Sequence, residues 1–516
     1  MSFSAALTGD TDAALRAHLD RPDGQEDVCF ALWRPSHGAE RLTALVQSPI
    51  LPLEGERRVH GNASFEGSYL IRAAGIAAEA KAGLALLHSH PGGREWQGMS
   101  PDDINAESGN AARVRAITGL PLLGMTLATR DGGWSGRLWE RDAPQTYSRK
   151  DCESVRVIAS GLRVTHHPTL RPPPRFREEL TRTISAWGEE AQANLARLRI
   201  GVVGLGSVGS IIVEALARMG VADIRLIDFD AVELLNLDRI LNTRREHAAE
   251  GIAKVAAIAD ALETSATAEA FHAQALEWSV VEPEGFAAAL DCDVLFSCVD
   301  RPWPRYALNV AGYSHLIPVI DGGIVVSQTR KGKMRGADWR AHIVAPGRRC
   351  LECLGQYDPG AVQLEREGRL DDPSYIRQLN DDHFVKRNEN VFAFSLGCAS
   401  LELSQFISMV IAPGGITDVG AQLYHLSTGT LDRETDGCKA QCFFAGPLLA
   451  KGDASVDPTA PHEVAENARA KRAAASPPTA PDLESLSEAA LRSPGRRRGL
   501  RSSLARRLGA GKSPGV

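Results

Sequence analysis

Between Glu26 and Leu53 two short apolar runs, VCFALW and RLTALVQSPIL, flank the polar segment PSHGAE. This pattern predicts two strands joined by a turn. Ahead of them, residues 1 to 22 read as a helix or a loose leader. From Phe65 to Lys81 the apolar residues recur at helical spacing, which predicts a helix that packs closely through its small side chains. The continuous apolar run GLALLHSHP, Gly83 to Pro91, predicts a buried strand that ends in polar chemistry. A helix is expected over Asp103 to Ala116. Two closing strands are expected in GLPLLGMTLATRDGGWSGRLWE, around a turn at Asp131–Gly133.

The second half repeats a different rhythm. A helix is expected from Glu178 to Arg197. LRIGVVGLGSVGS then gives a strand, a glycine turn and the start of a helix, with helical spacing over Ser210–Met219. ADIRLIDFD, DCDVLFSCVD and LIPVIDGGIVV are further strands. Strands alternating with helices predict a doubly wound, Rossmann-like sheet. The fold class is thus α/β throughout. One α/β domain is expected over residues 1–150, a Pro/Arg-rich linker (HHPTLRPPPRFREE) over 151–177, a second domain over 178–449, and a disordered basic tail over 450–516. In that tail Ala, Pro, Ser and Arg dominate and aromatics are absent, so little surface is available to offset chain ordering. Within it PDLESLSEAALR is amphipathic, and Arg496–Arg498, Arg501, Arg506 and Arg507 form a basic cluster suited to an acidic partner. No internal repeat is found.

Composition narrows the class. The chain has 516 residues, 58 Lys+Arg and 64 Asp+Glu, a formal charge of -6 that argues against a nucleic-acid partner. Nine cysteines are too few for a disulfide scaffold. No uninterrupted apolar run reaches the length of a membrane span, and the acidic start does not look like a signal peptide. The expectation is a cytoplasmic protein without a membrane partner.

His88 and His90 lie two apart on a strand, so both imidazoles face one space. Asp103 follows a glycine-rich loop. Two His and one carboxylate leave a fourth zinc position for water, as hydrolysis requires. His88-Ser89-His90-Pro91 and Ser100-Pro101-Asp102-Asp103 resemble the H-x-H-P and S-x-x-D elements of the JAB/MPN+ (JAMM) zinc peptidases. These enzymes remove ubiquitin-like proteins from their conjugates. The resemblance implies catalytic Zn²⁺ on His88, His90 and Asp103, Ser100 steadying the bound water, and an upstream Glu as general base. Glu26 is the best match for that base, with Glu54 and Glu66 as rivals. Cys29 replaces a family glycine, and the His90–Asp103 stretch is longer than in the family, which makes Asp102 an alternative ligand. A metal-free binding domain of the same fold is the other reading.

Gly204-Leu205-Gly206-Ser207-Val208-Gly209 fits G-x-G-x-x-G between a strand and a helix, where backbone N–H groups cradle phosphate. Asp228, 24 residues after Gly204, is placed to bind a ribose. Up to this point an NAD-dependent dehydrogenase fits equally well. Asn236, Arg239 and Lys254 shift the balance, because cations just beyond the ribose acid suit a triphosphate. Asp300 ends a strand at the carboxyl edge of the sheet and can hold Mg²⁺. From 178 to 449 the chain resembles the ThiF/MoeB and ubiquitin-activating enzyme superfamily, which adenylates the C-terminal glycine of ubiquitin-like proteins. The resemblance implies ATP and Mg²⁺ as cofactors. It aligns Asp230 through Arg239 with D-x-x-x-x-x-N-L-x-R, and places Lys254, Asp300 and Arg305 in the site. Arg182 then reaches ATP across a homodimer.

Cys350 and Cys353, with Cys438 and Cys442, form two close thiolate pairs suited to a structural Zn²⁺, although the second pair has one residue more than the family's C-x-x-C. Cys398 is the nearest candidate for a thioester-forming nucleophile, but its apolar helical surroundings favour burial. The combined reading is an enzyme that activates a ubiquitin-like protein with ATP, fused to a zinc peptidase that processes or removes it, with a conjugating enzyme as further partner. The combination resembles proteins of bacterial ubiquitin-like operons, some of them antiviral. A sulfur-carrier activator for cofactor or metabolite synthesis, and a non-enzymatic scaffold, are the alternatives.

Overall fold

Which face of the strand Gly83–His90 a side chain occupies is decided by parity, and parity organises the front half of the molecule. In the computed structural model, which describes all residues except 145, 330, 381–382, 387–388 and 476–516, Ala85 and Leu87 enter one hydrophobic core with Leu15, Trp33, Met125 and Trp134. Leu84 and Leu86 enter another, with Phe30, Tyr69, Ala73 and Val114. The second core lies under the helices Gly67–Glu79 and Pro101–Thr118. A strand buried on both faces loses its polar alternation, which is why this stretch reads as continuously apolar.

Nine strands make the front sheet, in the order Leu162–His166, Ser154–Ile158, Ser2–Thr8, Arg41–Ile50, Val28–His37, Gly83–His90, Leu122–Ala128, Gly133–Ala143, Thr146–Asp151. The expected helix or leader at the start is corrected in part. Ser2–Thr8 is a strand paired parallel to Ser154–Ile158 on one side and Arg41–Ile50 on the other. The helix is confined to Gly9–Leu19, where the Thr8 hydroxyl accepts the Thr11 N–H. The strand SFSAALT is short, and its last five residues are all buried, so no period distinguishes it from a helix. Two segments of the stretch expected as connector, Ser154–Ile158 and Leu162–His166, are strands of this sheet, and irregular chain follows over 167–177.

The back sheet has eight strands, in the order His272–Leu276, Asp223–Ile227, Arg199–Val203, Val294–Ser297, Val319–Gln328, Met334–Val344, Ala421–His425, Thr430–Glu434. The first five are parallel and the last three antiparallel. Ile211, Leu216, Ile258 and Phe406 pack into a core on one face; Phe286, Trp303, Leu308 and Tyr313 pack into a core on the other. Strand order reverses between Arg199–Val203 and Val294–Ser297, and the glycine turn leaves the sheet there, at the crevice where such folds bind ligands. The expected helix over Glu178–Arg197 is broken: Gly188, at φ +90°, separates Thr181–Trp187 from Glu189–Ala196.

Helix Phe392–Ile411 is long and apolar enough to cross a bilayer by composition. It instead packs on Val319–Gln328 and Met334–Val344, burying Ser395, Cys398, Glu402, Gln405 and Phe406. Nor is the chain beyond Lys451 wholly unfolded, as expected. A short turn Gly452–Ala454 and a helix Glu463–Ala475 form there. His462 lies edge-on to Phe229 and Trp303, and Arg469 grips Glu282 at 2.6 Å. Polar and aromatic contacts do this ordering, and hydrophobic periodicity does not report them. PDLESLSEAALR and the basic cluster lie outside the described residues.

Residues 1–470 make one compact unit, and buried ion pairs join its front and back halves. Asp293 accepts from Arg41 at 2.6 Å and from Arg156, all three within the interior. Asp291 accepts the backbone N–H groups of Glu40 and Arg41, and Ser36 meets His315 at 2.8 Å.

Candidate metal centre and nucleotide site

Because His88 and His90 share the parity of Leu84 and Leu86, their rings face the helix Pro101–Thr118, whose first turn carries Asp103. Nε2 of His88 lies 3.2 Å from Nε2 of His90. Asp103 places Oδ1 at 3.4 Å from the first and Oδ2 at 3.6 Å from the second. Ligands at about 2.0–2.1 Å from a tetrahedral zinc are separated by about 3.3–3.4 Å. The two imidazole nitrogens and the Asp103 carboxylate thus stand at about the spacing of ligands on one tetrahedral zinc, which leaves a further position for another ligand. Ser100 builds the carboxylate's position: its hydroxyl accepts the Asp103 N–H at 3.2 Å, and its own N–H donates to Asp103 Oδ2 at 2.7 Å. Burial would raise the Asp103 carboxyl, but hydrogen bonds from His88 and His90 overcome this and hold it far below the carboxylate range. The same bond to Asp103 raises the His90 imidazole against burial. Asp102, the alternative ligand, is exposed, and it is Asp103 that completes the triad.

Glu26 is near enough for its charge to add to the raised pKa of His90. The chain there is pinned by its neighbour. Asp27 is buried, its N–H donates to Ser89 Oγ at 3.1 Å, and its carboxylate pairs with Arg57 at 2.9 Å and Arg21 at 3.2 Å. Of the rivals, Glu66 pairs with Arg58 at 2.8 Å and Glu54 lies exposed in a turn. Sequence reasoning passed over the residues behind the ligands. Thr126 Oγ1 sits 3.4 Å from His88 Nε2 and accepts from Arg137 at 2.7 Å, while Glu107 accepts from Arg137 and Trp139. This buried Arg137–Glu107 pair and Thr126 have no local signature, since the three residues come from three elements.

At the second site Gly204, at φ +88°, turns the chain out of the sheet. A Cβ at Gly209 would lie 1.9 Å from the Gly204 carbonyl oxygen, so helix and turn can meet only through glycine. A Cβ at Gly206 would meet nothing within 4 Å, so that backbone is open to a ligand. Asp228 is buried, and it accepts the N–H groups of Leu205 at 2.7 Å and Asp230 at 2.8 Å. Burial raises its carboxyl. Lys254 is buried at the start of its helix and donates to Asp230 at 2.8 Å. Desolvation would lower its ammonium, but Asp228 and Asp230 outweigh this and raise it, with a smaller contribution from Asp300. Gly204, Gly206, Asp228, Asp230, Lys254 and Asp300 therefore gather at one sheet edge.

Other expected members point elsewhere. Asn236 accepts the Glu233 N–H at 3.1 Å within its own turn. Arg239 donates to the Leu235 carbonyl at 2.6 Å and pairs with Asp238 at 2.8 Å. Arg305 pairs with the buried Asp321 at 3.4 Å and donates to the Gly322 carbonyl at 3.3 Å. Arg182 is exposed on Thr181–Trp187.

Cys350, Cys353, Cys438 and Cys442 bring their thiols within 4.8 Å of one another, with 3.6 Å between Cys350 and Cys442. Thiolates at about 2.3 Å from zinc stand about 3.8 Å apart, so the tetrad fits a structural ion. Cys398 is corrected as a nucleophile. It is fully buried, 3.4 Å from Glu402 Oε1, and desolvation with that neighbouring carboxyl pushes its thiol well up. Cys298, which shares that carboxyl, is raised in the same way. Cys29, Cys152 and Cys292 are buried, and desolvation raises each of them as well.

Residues 180–382 match the ThiF family. The chain is 32% identical over 124 residues to ubiquitin-like modifier-activating enzyme 5 of Drosophila melanogaster, a match covering 22% of this chain and 30% of that protein. It is 27% identical over 135 residues to the Drosophila willistoni enzyme of the same name, covering 24% and 32%. The chain thus spans about a third of the length of these curated relatives. Among solved structures, Escherichia coli MccB with ATP is 15% identical and covers 52% of this chain and 75% of its own, at a TM-score of 0.41. TcdA (CsdL) is 28% identical, covers 30% and 63%, and has a TM-score of 0.27. The chain therefore carries a ThiF-like adenylation domain joined to an N-terminal region that bears a JAMM-like triad of His88, His90 and Asp103.

Proposed function

We propose that this protein uses ATP and Mg²⁺ to adenylate the C-terminal carboxylate of a small ubiquitin-fold carrier, and that a zinc centre at its front hydrolyses a peptide or isopeptide bond at such a tail. The observation that carries the reading is the buried Lys254, paired with the exposed Asp230 beside Asp228 and the open backbone of Gly206, within the stretch that matches the ThiF family. When ATP binds, Lys254 would leave Asp230 for the phosphates. Its charge would favour attack of the carboxylate oxygen on the α-phosphorus and departure of pyrophosphate. Asp300, at the same edge, would hold Mg²⁺, and Asp228 the ribose. At the front, His88, His90 and Asp103 would hold a zinc ion, which would supply a water of lowered pKa as nucleophile. Glu26 would take that water's proton, and Ser100 would keep Asp103 in place.

The cysteines favour a sulfur-carrier activator over a conjugating activator. A sulfur donor can attack the acyl-adenylate directly, whereas conjugation passes the acyl group to an accessible thiolate, and Cys398 and Cys298 are raised by burial beside Glu402. The conjugation reading, with a ubiquitin-like partner, a conjugating enzyme and a homodimer using Arg182, is the alternative, and the similar Drosophila proteins are ubiquitin-like modifier-activating enzymes. Both readings place the protein in the cytoplasm, where the Cys tetrad stays reduced.

The test is incubation of the full chain with a Gly-Gly-ended carrier and α-labelled ATP. A labelled carrier adenylate with no thiol-sensitive adduct on the chain is expected. A thiol-sensitive adduct would establish the conjugation reading instead, and absence of adenylate with every carrier tried, alongside absent pyrophosphate exchange, would defeat both.

A further inference from the structure

The loop between His90 and Ser100 is the part of the front site that departs from the family spacing, and it holds a group aimed at a metal ligand. Gln97 Oε1 lies 3.3 Å from His90 Nδ1. Which end of that amide faces the ring is fixed independently: Nε2 of Gln97 donates to the Arg94 carbonyl at 2.5 Å, so Oε1 is left to accept. The loop itself is held. The Gln97 N–H donates to Ser135 Oγ at 2.6 Å, and the Glu95 N–H to Asp131 Oδ2 at 2.7 Å. Trp96 lies edge-on to His167 at 4.8 Å. Gly93 admits the amide, since a Cβ there would lie 2.6 Å from Gln97 Oε1.

From this geometry we infer that Gln97 is a positioning residue for the zinc site: it accepts the His90 Nδ1 proton and so fixes the tautomer that presents the Nε2 lone pair toward Asp103 and His88. A neutral imidazole has one N–H, and the acceptor it meets decides which nitrogen stays free for metal. Partners of this kind typically contribute 10–100-fold to metal affinity. A glutamine does so without adding a charge beside Asp103.

The inference rests on the zinc reading of the triad, and its test separates the two. Zinc affinity would be measured on the full chain by competition with a chromogenic chelator. His90→Ala defines the signal of the Cys tetrad, and metal-free thermal unfolding is followed in parallel. Gln97→Leu, similar in size but without an acceptor, is expected to weaken front-site zinc by about 10-fold or more, with unfolding of the metal-free protein unchanged. Gln97→Glu, which restores an acceptor, is expected to bind at least as tightly as the parent. Equal affinity of Gln97→Leu and parent, or equal weakening by Leu and Glu, would overturn the positioning role while leaving the zinc site standing. A parent chain that binds no more zinc than His90→Ala would remove the site itself, and this role with it.

Discussion

Replacing Asp293 by Ala should loosen the joint between the two halves more than any surface change. Its carboxylate has 3% side-chain exposure, and the guanidiniums of Arg41 and Arg156 have none. Oδ1 receives both arginines and Oδ2 accepts the Arg199 backbone N–H at 2.9 Å. Burial alone would raise this carboxyl, yet Arg41 and Arg156 hold it well below the carboxylate range. Removing it leaves two buried like charges facing each other, relieved in part by Glu153 at 3.5 Å from Arg41 and by the nearby Asp291 carboxylate. Breaking a buried pair from one side typically costs about 3–5 kcal/mol, and Glu153 places the expected loss near about 3 kcal/mol. Urea unfolding followed by Trp fluorescence would measure it. The parent should unfold in one transition, and Asp293→Ala should show an earlier one in which the halves separate. Removing all three charges together (Arg41→Met, Arg156→Met, Asp293→Leu) should recover most of the loss, because no charge is left stranded. A single Asp293→Ala change within about 1 kcal/mol of the parent would refute the reasoning, since exposed pairs are worth that little.

Gly206→Ala should fold normally and weaken ATP binding, whereas Gly209→Ala should destabilise the fold through its 1.9 Å clash; equal melting temperatures for the two variants would contradict this. Burial pushes the Glu365 carboxyl from an ordinary 4.5 up to about 7. Its folded-state pKa is raised, so the folded protein holds a proton that the unfolded chain has released. The stabilising contribution is full below pH 4.5 and is lost as pH rises through about 7. The stability of the parent relative to Glu365→Gln should therefore fall by about 3 kcal/mol across that window, from about 1.4 kcal/mol per pKa unit; a flat difference would refute it. Cys438→Ser should release one zinc equivalent and destabilise the back half while front-site zinc stays bound, as metal analysis of the purified variant would register.

Local spacing made the site ligands legible. H-x-H on a strand fixes the direction of both imidazoles locally, whereas Asp103 was reached through the S-x-x-D resemblance with Asp102 as the alternative, and the cap that Ser100 makes on Pro101–Thr118 is what holds Asp103 beside the histidines. Gly204 was likewise tied to a strand–turn–helix unit and Asp228 to the end of the strand after it, with Lys254 further along at the start of a later helix. What escaped depends on distant partners. Ser2–Thr8 becomes a strand only because Ser154–Ile158 returns beside it. Gln97 and Thr126 reach the histidines from a loop and a neighbouring strand. Arg239 and Arg305 fit a sequence pattern, yet Arg239 pairs with its neighbour Asp238, and Arg305 goes to Asp321, a carboxylate whose proximity no spacing announces. Cys398 illustrates the reverse: its apolar helical setting already argued for burial, and Glu402 one turn away completes the case.

Two chemically separate sites in one chain is the claim on which the account stands. Lys254→Ala and His90→Ala, each purified as the full chain, should be compared for ATP-dependent pyrophosphate exchange and for cleavage of a carrier fusion. Loss of exchange with cleavage retained in the first, and the reverse in the second, is the expected result. If either single change abolishes both reactions in a protein that still unfolds like the parent, the division is wrong.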